Sequence, residues 1–290
     1  MEASLSQIPI TLLVFIALIL GLLVGSFLNV VILRLPKMLT GGWKADCCEL
    51  LEIENTGVSA SPYNLVVPGS HCPQCNHQIR AWENIPLLSY LFLRGRCSNC
   101  KTRISVRYPA VELVTGLLSA YVVFHFGLTE QGLFALFLLW ALIALTVIDI
   151  DTQLLPDNIT LPLLWLGLLL NSVGLFTSLT DAVYGAVAGY LALWSVYWVF
   201  KLLTGKEGMG YGDFKLLAAL GAWMGWQLLP LVILLSSFVG AVIGIAGILI
   251  LGRDKNIPIP FGPYLAIAGL ITLLWGEQLS QYYLQITNLQ

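Results

Sequence analysis

The chain has 290 residues, of which 58% are hydrophobic and only 10% are charged. A soluble globular domain is roughly 45–50% apolar and about 25% charged, so this composition excludes a soluble fold. It also excludes a disordered chain, and six cysteines are too few for a secreted disulfide scaffold. The net charge of −2 lacks the basic excess that is typical of nucleic-acid-binding proteins. The class that remains is a polytopic membrane protein whose partner is the lipid bilayer.

The apolar sequence falls into stretches that match the roughly 20 residues of a spanning helix. The first stretch covers 8–33, two short helices fill 214–251 with a break near Gln227 and Pro230, and a last one covers 261–275. Four more are predicted at about 109–127, 131–149, 158–176 and 182–200. The sequence therefore predicts an all-α polytopic membrane protein with about eight transmembrane helices.

The basic residues predict the orientation of these helices. All 14 Lys and Arg residues lie in three windows, 34–107, 201–215 and 253–255. Short loops that are rich in Lys and Arg stay in the cytoplasm. Eight spans place all three windows inside and both termini in the periplasm, whereas seven spans would put Arg253 and Lys255 on the wrong side. The first stretch lacks a basic n-region, so it is predicted to be a permanent span and not a cleaved signal peptide.

The segment between the first two spans is long enough to form a small domain of its own. We therefore divide the chain into a first transmembrane helix at 8–33, a cytoplasmic metal-binding domain at 34–108, a seven-helix membrane domain at 109–276 and a periplasmic tail at 277–290.

Two C-x2-C pairs lie in the cytoplasmic segment, Cys72 with Cys75 and Cys97 with Cys100. Four thiolates on two tight turns close a tetrahedral zinc site, and such a site is structural because no coordination position stays open. The alternatives are redox pairs or buried thiols, but the reducing cytosol disfavours disulfides. In a loop with few large apolar residues, the metal would replace a missing core. His71 and His77 adjoin the pairs and are surplus to four-coordination.

Aspartates beside apolar spans are costly, so each needs a reason. Asp157 follows Pro156 and is predicted to cap the N-terminus of the fourth span, and Asp151 is predicted to be a solvated interfacial residue. Asp149 is different because it ends an apolar helix, where the helix dipole disfavours a negative charge. Asp213 follows three alternating glycines, 208, 210 and 212, which allow close approach of another segment. These glycines lack the strand and spacing of a dinucleotide-binding loop.

Asp149 and Asp213 both lie at cytoplasmic helix ends and are able to meet in the bundle. Two carboxylates that share one proton form the device of aspartic proteases, in which one activates water and the other protonates the carbonyl. A transporter also uses carboxylates at helix ends, but its site usually lies near the midplane between matching halves. A scaffold protein would explain the cysteine loop and leave the Gly-Tyr-Gly-Asp element without a role.

Taken together, these residues resemble the type IV prepilin peptidase family. The matching motifs follow the family's order along most of the chain: the four cysteines, Glu-Asn-Ile-Pro-Leu-Leu-Ser-Tyr at 83–90, Ile-Asp-Ile-Asp at 148–151, Gly-Tyr-Gly-Asp at 210–213 and Pro-Phe-Gly-Pro at 260–263.

The resemblance implies a bifunctional enzyme of the bacterial inner membrane. Asp149 and Asp213 would cut the basic leader of type IV prepilins and type II secretion pseudopilins after a glycine, at the cytoplasmic face. The same enzyme would then methylate the new N-terminal amine with S-adenosylmethionine, and the four cysteines would bind zinc.

The sequence contains no glycine-rich cofactor loop after a predicted strand, which excludes a soluble Rossmann-type methyltransferase domain. We expect the site of the methyl donor in the cytoplasmic loop and the nearby helix ends. Glu112 has two interpretations: a ligand for a cationic amine or sulfonium, or a glutamate that complements the N-terminal dipole of its helix, which we favour.

Overall fold

A computed structural model describes residues 9–53, 63–252 and 259–287. Within these ranges every extended regular element is helical, which confirms the all-α prediction. The basic window at 253–255 lies outside the described residues. The chain divides into two compact units, Met1–Trp140 and Ala141–Gln290.

In the first unit, helix α1 (Ile10–Leu50) packs against α3 (Arg107–Phe126), with the short α2 (Leu88–Phe92) between them in sequence. Small residues allow the two helices to approach closely, as is common in membrane proteins. A Cβ atom at Gly21 would lie 2.6 Å from Oγ of Ser119, and one at Gly25 would lie 2.7 Å from Cα of Glu112. The contact therefore fixes the position of Glu112 beside α1.

Helix α1 continues beyond Leu33, where the first apolar stretch was predicted to end. It passes through Pro36 and ends at Leu50, because the basic residues that follow Leu33 end the apolar stretch without ending the helix. The first part of the segment between the first two predicted spans is thus an extension of the first helix.

The second unit contains the C-terminal part of α4 (Glu130–Thr152) and five further helices: α5 (Asp157–Asn171), α6 (Leu179–Thr204), α7 (Tyr211–Met224), α8 (Leu229–Leu251) and α9 (Gly262–Thr287). A short 3₁₀ turn, Trp226–Leu228, separates α7 from α8, which confirms the predicted break near Gln227 and Pro230.

Helix α7 forms the centre of the second unit. From Asp213 to Met224 its residues are buried, with the exception of Lys215. A Cβ atom at Gly185 in α6 would overlap the carbonyl of Gly221 in α7, so the two helices pack with backbone against backbone.

The side chain of Asn171 ties the end of α5 to the end of α7. Its amide donates to the carbonyls of Ala222 and Trp223, and its oxygen accepts the amides of Phe176 and Thr177. These bonds satisfy backbone groups at the end of α7 and in the connection after α5, and α5 ends at Asn171 and not near residue 176 as predicted.

Five helices of the described chain are long and apolar enough to cross a membrane: Ile10–Leu50, Arg107–Phe126, Glu130–Thr152, Leu179–Thr204 and Trp226–Gly247. The protein is therefore a polytopic membrane protein. Helices α5 and α7 have 15 and 14 residues, fewer than the roughly 20 of a straight span. The count of eight spans stays a prediction.

Candidate active site

Two buried aspartates meet within the second unit. Asp149 lies in the last turn of α4 and Asp213 in the first turn of α7. Only 5% of Asp149 and 6% of Asp213 are exposed, and the charge of Asp149 acts on Asp213. Neighbouring ionised side chains interact strongly in a buried site, because little water screens their charges. The structure thus brings together the two carboxylates that the sequence singled out.

Asp149 is held by the first residue of α9. The backbone N–H of Gly262 donates to Oδ2 of Asp149 over 3.0 Å, and the N-terminus of a helix is the favourable end for an anion. A Cβ atom at position 262 would lie 2.7 Å from the same oxygen. Glycine is therefore required for this contact. The short distance to Asp149 explains why the Pro-Phe-Gly-Pro motif has a glycine at this position. The sequence alone did not connect this motif with Asp149.

Asp213 presents one carboxylate oxygen without a partner. Its backbone N–H donates to the carbonyl of Gly210 over 3.2 Å, which sets the first turn of α7. Among the described residues, Oδ1 of Asp213 accepts no hydrogen bond although it is buried. A buried oxygen in this state is costly, and a reacting water or peptide group would satisfy it.

Leu155, in the segment after α4, lies against both motif glycines. A Cβ atom at Gly212 would lie 2.6 Å from Cβ of Leu155, and one at Gly262 would lie 3.1 Å from its Cδ2 atom. The starts of α7 and α9 therefore close around the end of α4, and this packing positions the two aspartates.

The segment before Asp213 is also anchored to α6. Nζ of Lys201 lies 3.1 Å from the hydroxyl of Tyr197 and 2.8 Å from Oε1 of Glu207. The ring of Tyr197 packs on the rings of Tyr211 and Phe214, with centroids 5.4 and 5.7 Å apart. Because Tyr197 is buried, these contacts fix the glycine-rich segment at both of its ends.

The prediction that Asp157 caps α5 is wrong by one position. The N-cap is Pro156, and Asp157 is the first helical residue. Its carboxylate binds Nζ of Lys215 on α7 at 2.7 Å, so an ion pair between two helices explains this aspartate. Asp151 is exposed, as expected for a solvated residue.

The four predicted cysteines form one cluster in the first unit. Their sulfur atoms lie within 4.8 Å of one another, with Cys72 and Cys100 3.7 Å apart and Cys75 and Cys97 4.0 Å apart. Zinc–sulfur bonds of about 2.3 Å in a tetrahedron place the sulfurs roughly 3.8 Å apart. The donor set and its spacing therefore fit a four-coordinate metal ion.

Matching turns hold the two cysteine pairs. The amide of Cys72 donates to the carbonyl of His77, and the amide of Cys97 donates to the carbonyl of Thr102. His77 contacts Oε2 of Glu83 at 3.3 Å, and His71 contacts the carbonyl of Gly69, so both histidines have contacts outside the sulfur cluster.

A cavity of about 540 Å³ lies between the segment 63–106, here called the cysteine domain, and helices α1 and α3, within the first unit. Two acidic side chains line it, Glu83 and Glu112. The backbone N–H of Arg80 donates to Glu83 and, with further hydrogen bonds, lowers the pKa of this carboxyl to about 2, so Glu83 is ionised at neutral pH. Glu112 is only 8% exposed and accepts the N–H of Leu87 over 2.9 Å.

Comparison with known protein families matches both halves of the chain to peptidase families. The sequence profile of the Bacterial Peptidase A24 N-terminal domain matches residues 19–126, and that of the Type IV leader peptidase family matches residues 136–245.

Similar proteins named prepilin leader peptidase/N-methyltransferase are found in several bacteria. That of Stutzerimonas stutzeri is 62% identical over 95% of both chains, and that of Pseudomonas aeruginosa is 61% identical over 95% of this chain and 94% of its own. The Legionella pneumophila protein is 49% identical over 93% and 95%. No solved structure matches. Since the match covers both domains at this identity, the chain belongs to the type IV leader peptidase family.

Proposed function

We propose that this protein removes the basic leader peptide of type IV prepilins and of type II secretion pseudopilins and then methylates the new N-terminal amine. The observation that carries the proposal is the pair of buried, interacting aspartates at the ends of α4 and α7. Sequence similarity also supports the proposal, because the relatives from all three bacteria are named for both activities.

In the proposed cleavage, Asp149 and Asp213 work as a pair. One carboxylate accepts a proton from a water molecule, whose oxygen then attacks the scissile carbonyl, and the other carboxyl gives its proton to the carbonyl oxygen. The N–H of Gly262 orients Asp149, while the unpartnered Oδ1 of Asp213 is available to the reacting group. The family resemblance adds that the cut follows a glycine.

In the proposed methylation, S-adenosylmethionine supplies the methyl group. The nitrogen lone pair forms the new N–C bond while the C–S bond breaks, its electron pair stays on sulfur, and the nitrogen loses a proton to the solvent. We assign zinc to Cys72, Cys75, Cys97 and Cys100 as a structural ion, because four thiolates leave no coordination position for a substrate.

We also propose that the protein lies in the bacterial inner membrane with both termini in the periplasm and the aspartates at the cytoplasmic face. The support is the distribution of Lys and Arg, which follows the positive-inside rule with eight spans. A prepilin is a membrane helix with a basic cytoplasmic extension, so a protease for its leader needs its carboxylates at that face.

The proposed function is tested with the purified full chain and a synthetic prepilin in detergent. We expect the leader to be released without a cofactor, and the mature N-terminus to gain the mass of one methyl group only when S-adenosylmethionine is added. Mass spectrometry of both products measures the two activities separately. An intact prepilin would refute the peptidase, and an unmodified mature product would refute the methyltransferase.

A substitution at Gly262 tests how Asp149 is positioned. Gly262→Ala places a methyl group 2.7 Å from Oδ2 of Asp149, so the carboxylate has to rotate away. We expect the cleavage rate to fall about 10- to 100-fold, because small displacements of catalytic groups have effects of this size. The matched control is Gly41→Ala, whose Cβ meets nothing within 4 Å. Equal rates in the two variants would contradict the assigned role of the contact.

A further inference from the structure

The cavity in the first unit contains a buried acidic group that peptide cleavage does not use. Glu112 lines this cavity, and only 8% of its surface is exposed. Its carboxylate accepts hydrogen bonds from the amide of Leu87 and from Ser26, which are both neutral donors. A buried carboxylate is usually paired with a cation, since the loss of hydration has to be compensated. Within the described residues, the contacts given for Glu112 include none with a cation.

A hydrogen bond from the backbone of Leu87 holds Glu112 in the wall of the cavity. Leu87 has a φ of 58°, which is uncommon for a residue with a side chain, and it precedes α2. Its N–H points to Oε2 of Glu112 over 2.9 Å. This hydrogen bond ties the segment 83–90 to α3 and fixes one oxygen of the Glu112 carboxylate.

The rest of the lining carries charges of both signs, because the ionised Glu83 lines the cavity together with basic residues. Arg34, Lys37 and Arg103 also line the cavity, and the last two are exposed, so positive charge lies on its outer side. Tyr63, Tyr90 and Tyr108 also line the cavity, and aromatic rings of this kind are able to stack on a planar ligand. The volume of about 540 Å³ is within the range of small-molecule sites, roughly 300–1,000 Å³. The cavity thus fits a ligand with a cationic centre, a carboxylate and an aromatic ring.

We infer that this cavity binds the methyl donor, with the carboxylate of Glu112 against the sulfonium of S-adenosylmethionine. The inference rests on the proposed methyltransferase function and names its binding site. The adenine ring stacks on a tyrosine, and the donor's own carboxylate faces the basic rim. A sulfonium differs from the product thioether by its positive charge, so a carboxylate at this position binds the donor more tightly than the product and favours release after transfer.

Binding measurements with three ligands separate a charge effect from a structural one. S-adenosylmethionine carries a sulfonium, sinefungin carries an ammonium at the corresponding position, and S-adenosylhomocysteine is uncharged there. We expect Glu112→Gln to weaken the binding of S-adenosylmethionine and sinefungin about 10- to 100-fold. The affinity for S-adenosylhomocysteine should change less than about threefold. Glutamine keeps an oxygen that accepts the amide of Leu87, so the segment 83–90 stays in place. Isothermal titration with the purified full chain gives the affinities.

The matched control is Glu130→Gln, which removes the same charge from an exposed position of the first unit. It should leave all three affinities unchanged, and both variants should cleave prepilin at the normal rate. Unchanged affinity of Glu112→Gln for S-adenosylmethionine would overturn the inference. An equal loss for the charged and the uncharged ligands would also overturn it, because Glu112 would then only support the shape of the cavity.

A second measurement uses the unaltered protein and does not depend on how the variant folds. Ultraviolet cross-linking of S-adenosylmethionine labelled in its methyl group should mark a peptide that contains Tyr63, Tyr90 or Tyr108, and unlabelled sinefungin should prevent it. Labelling confined to the second unit would overturn the location. A different result would refute the proposed function itself: unaltered protein that neither binds nor consumes S-adenosylmethionine is not a methyltransferase. If the unaltered protein methylates its substrate and Glu112→Gln binds S-adenosylmethionine normally, only the assigned site is refuted.

Discussion

Replacement of either Asp149 or Asp213 by asparagine is expected to abolish cleavage of a prepilin, with a rate at least about 10³-fold lower than that of the unaltered protein. Asparagine has nearly the shape of the carboxyl group, and its amide oxygen is still able to accept the N–H of Gly262. It does not exchange a proton, so the step that activates water or protonates the carbonyl is lost. The rate of leader release by equal amounts of folded protein is the measurement.

Two controls make this result specific. Asp151→Asn alters an exposed aspartate two residues from Asp149 on the same helix and should leave cleavage unchanged. The double variant with both asparagines should be no slower than either single one, because residues that act as a unit are not additive.

Each of the two single variants should still methylate a mature pilin peptide supplied without its leader, since Glu112 and the cavity lie in the first unit. Substantial cleavage by either single variant would refute the assignment of that aspartate.

Replacement of Cys72 or Cys97 by serine should remove the metal ion and unfold the cysteine domain. These are the two most buried cysteines of the cluster, with 7% and 8% of their surfaces exposed. Structural zinc contributes roughly 10–16 kcal/mol in small metal-binding domains, which is more than the packing of a short loop is able to replace. We expect zinc content to fall from one ion per chain to almost none, measured by atomic emission, and proteolysis within 70–106 to become rapid.

The two activities should respond differently to this loss. Methyl transfer should disappear, because Cys72 and Cys97 themselves line the cavity that holds Glu112. Cleavage should persist, since Asp149, Asp213 and their described contacts lie in the second unit. Cys47→Ser is the matched control, as Cys47 is exposed on α1 and outside the cluster. A variant of Cys72 that retains its zinc would contradict the four-cysteine site.

The sequence alone determined those features that depend on spacing or on composition. The interval between two cysteines in a turn sets whether both reach one ion, so the cluster was predictable. Apolar length and the positions of charged residues determined a helical membrane protein, and a break near Gln227 and Pro230 followed from local residues. Local rules were less reliable at helix ends: α1 continues to Leu50, and Asp157 pairs with Lys215 instead of capping α5.

Only the tertiary structure decided how the candidate catalytic carboxylates are held and what the acidic group of the cavity contacts. Gly262 lies 113 positions from Asp149 and Leu87 lies 25 from Glu112, so no periodicity connects the two members of either pair. The sequence marked Asp149 and Asp213 because isolated charges are rare in apolar helices. Asp149 and Glu112 each accept a backbone amide, a group that every residue except proline carries, and only the packing of the helices selects which of these amides faces a carboxylate.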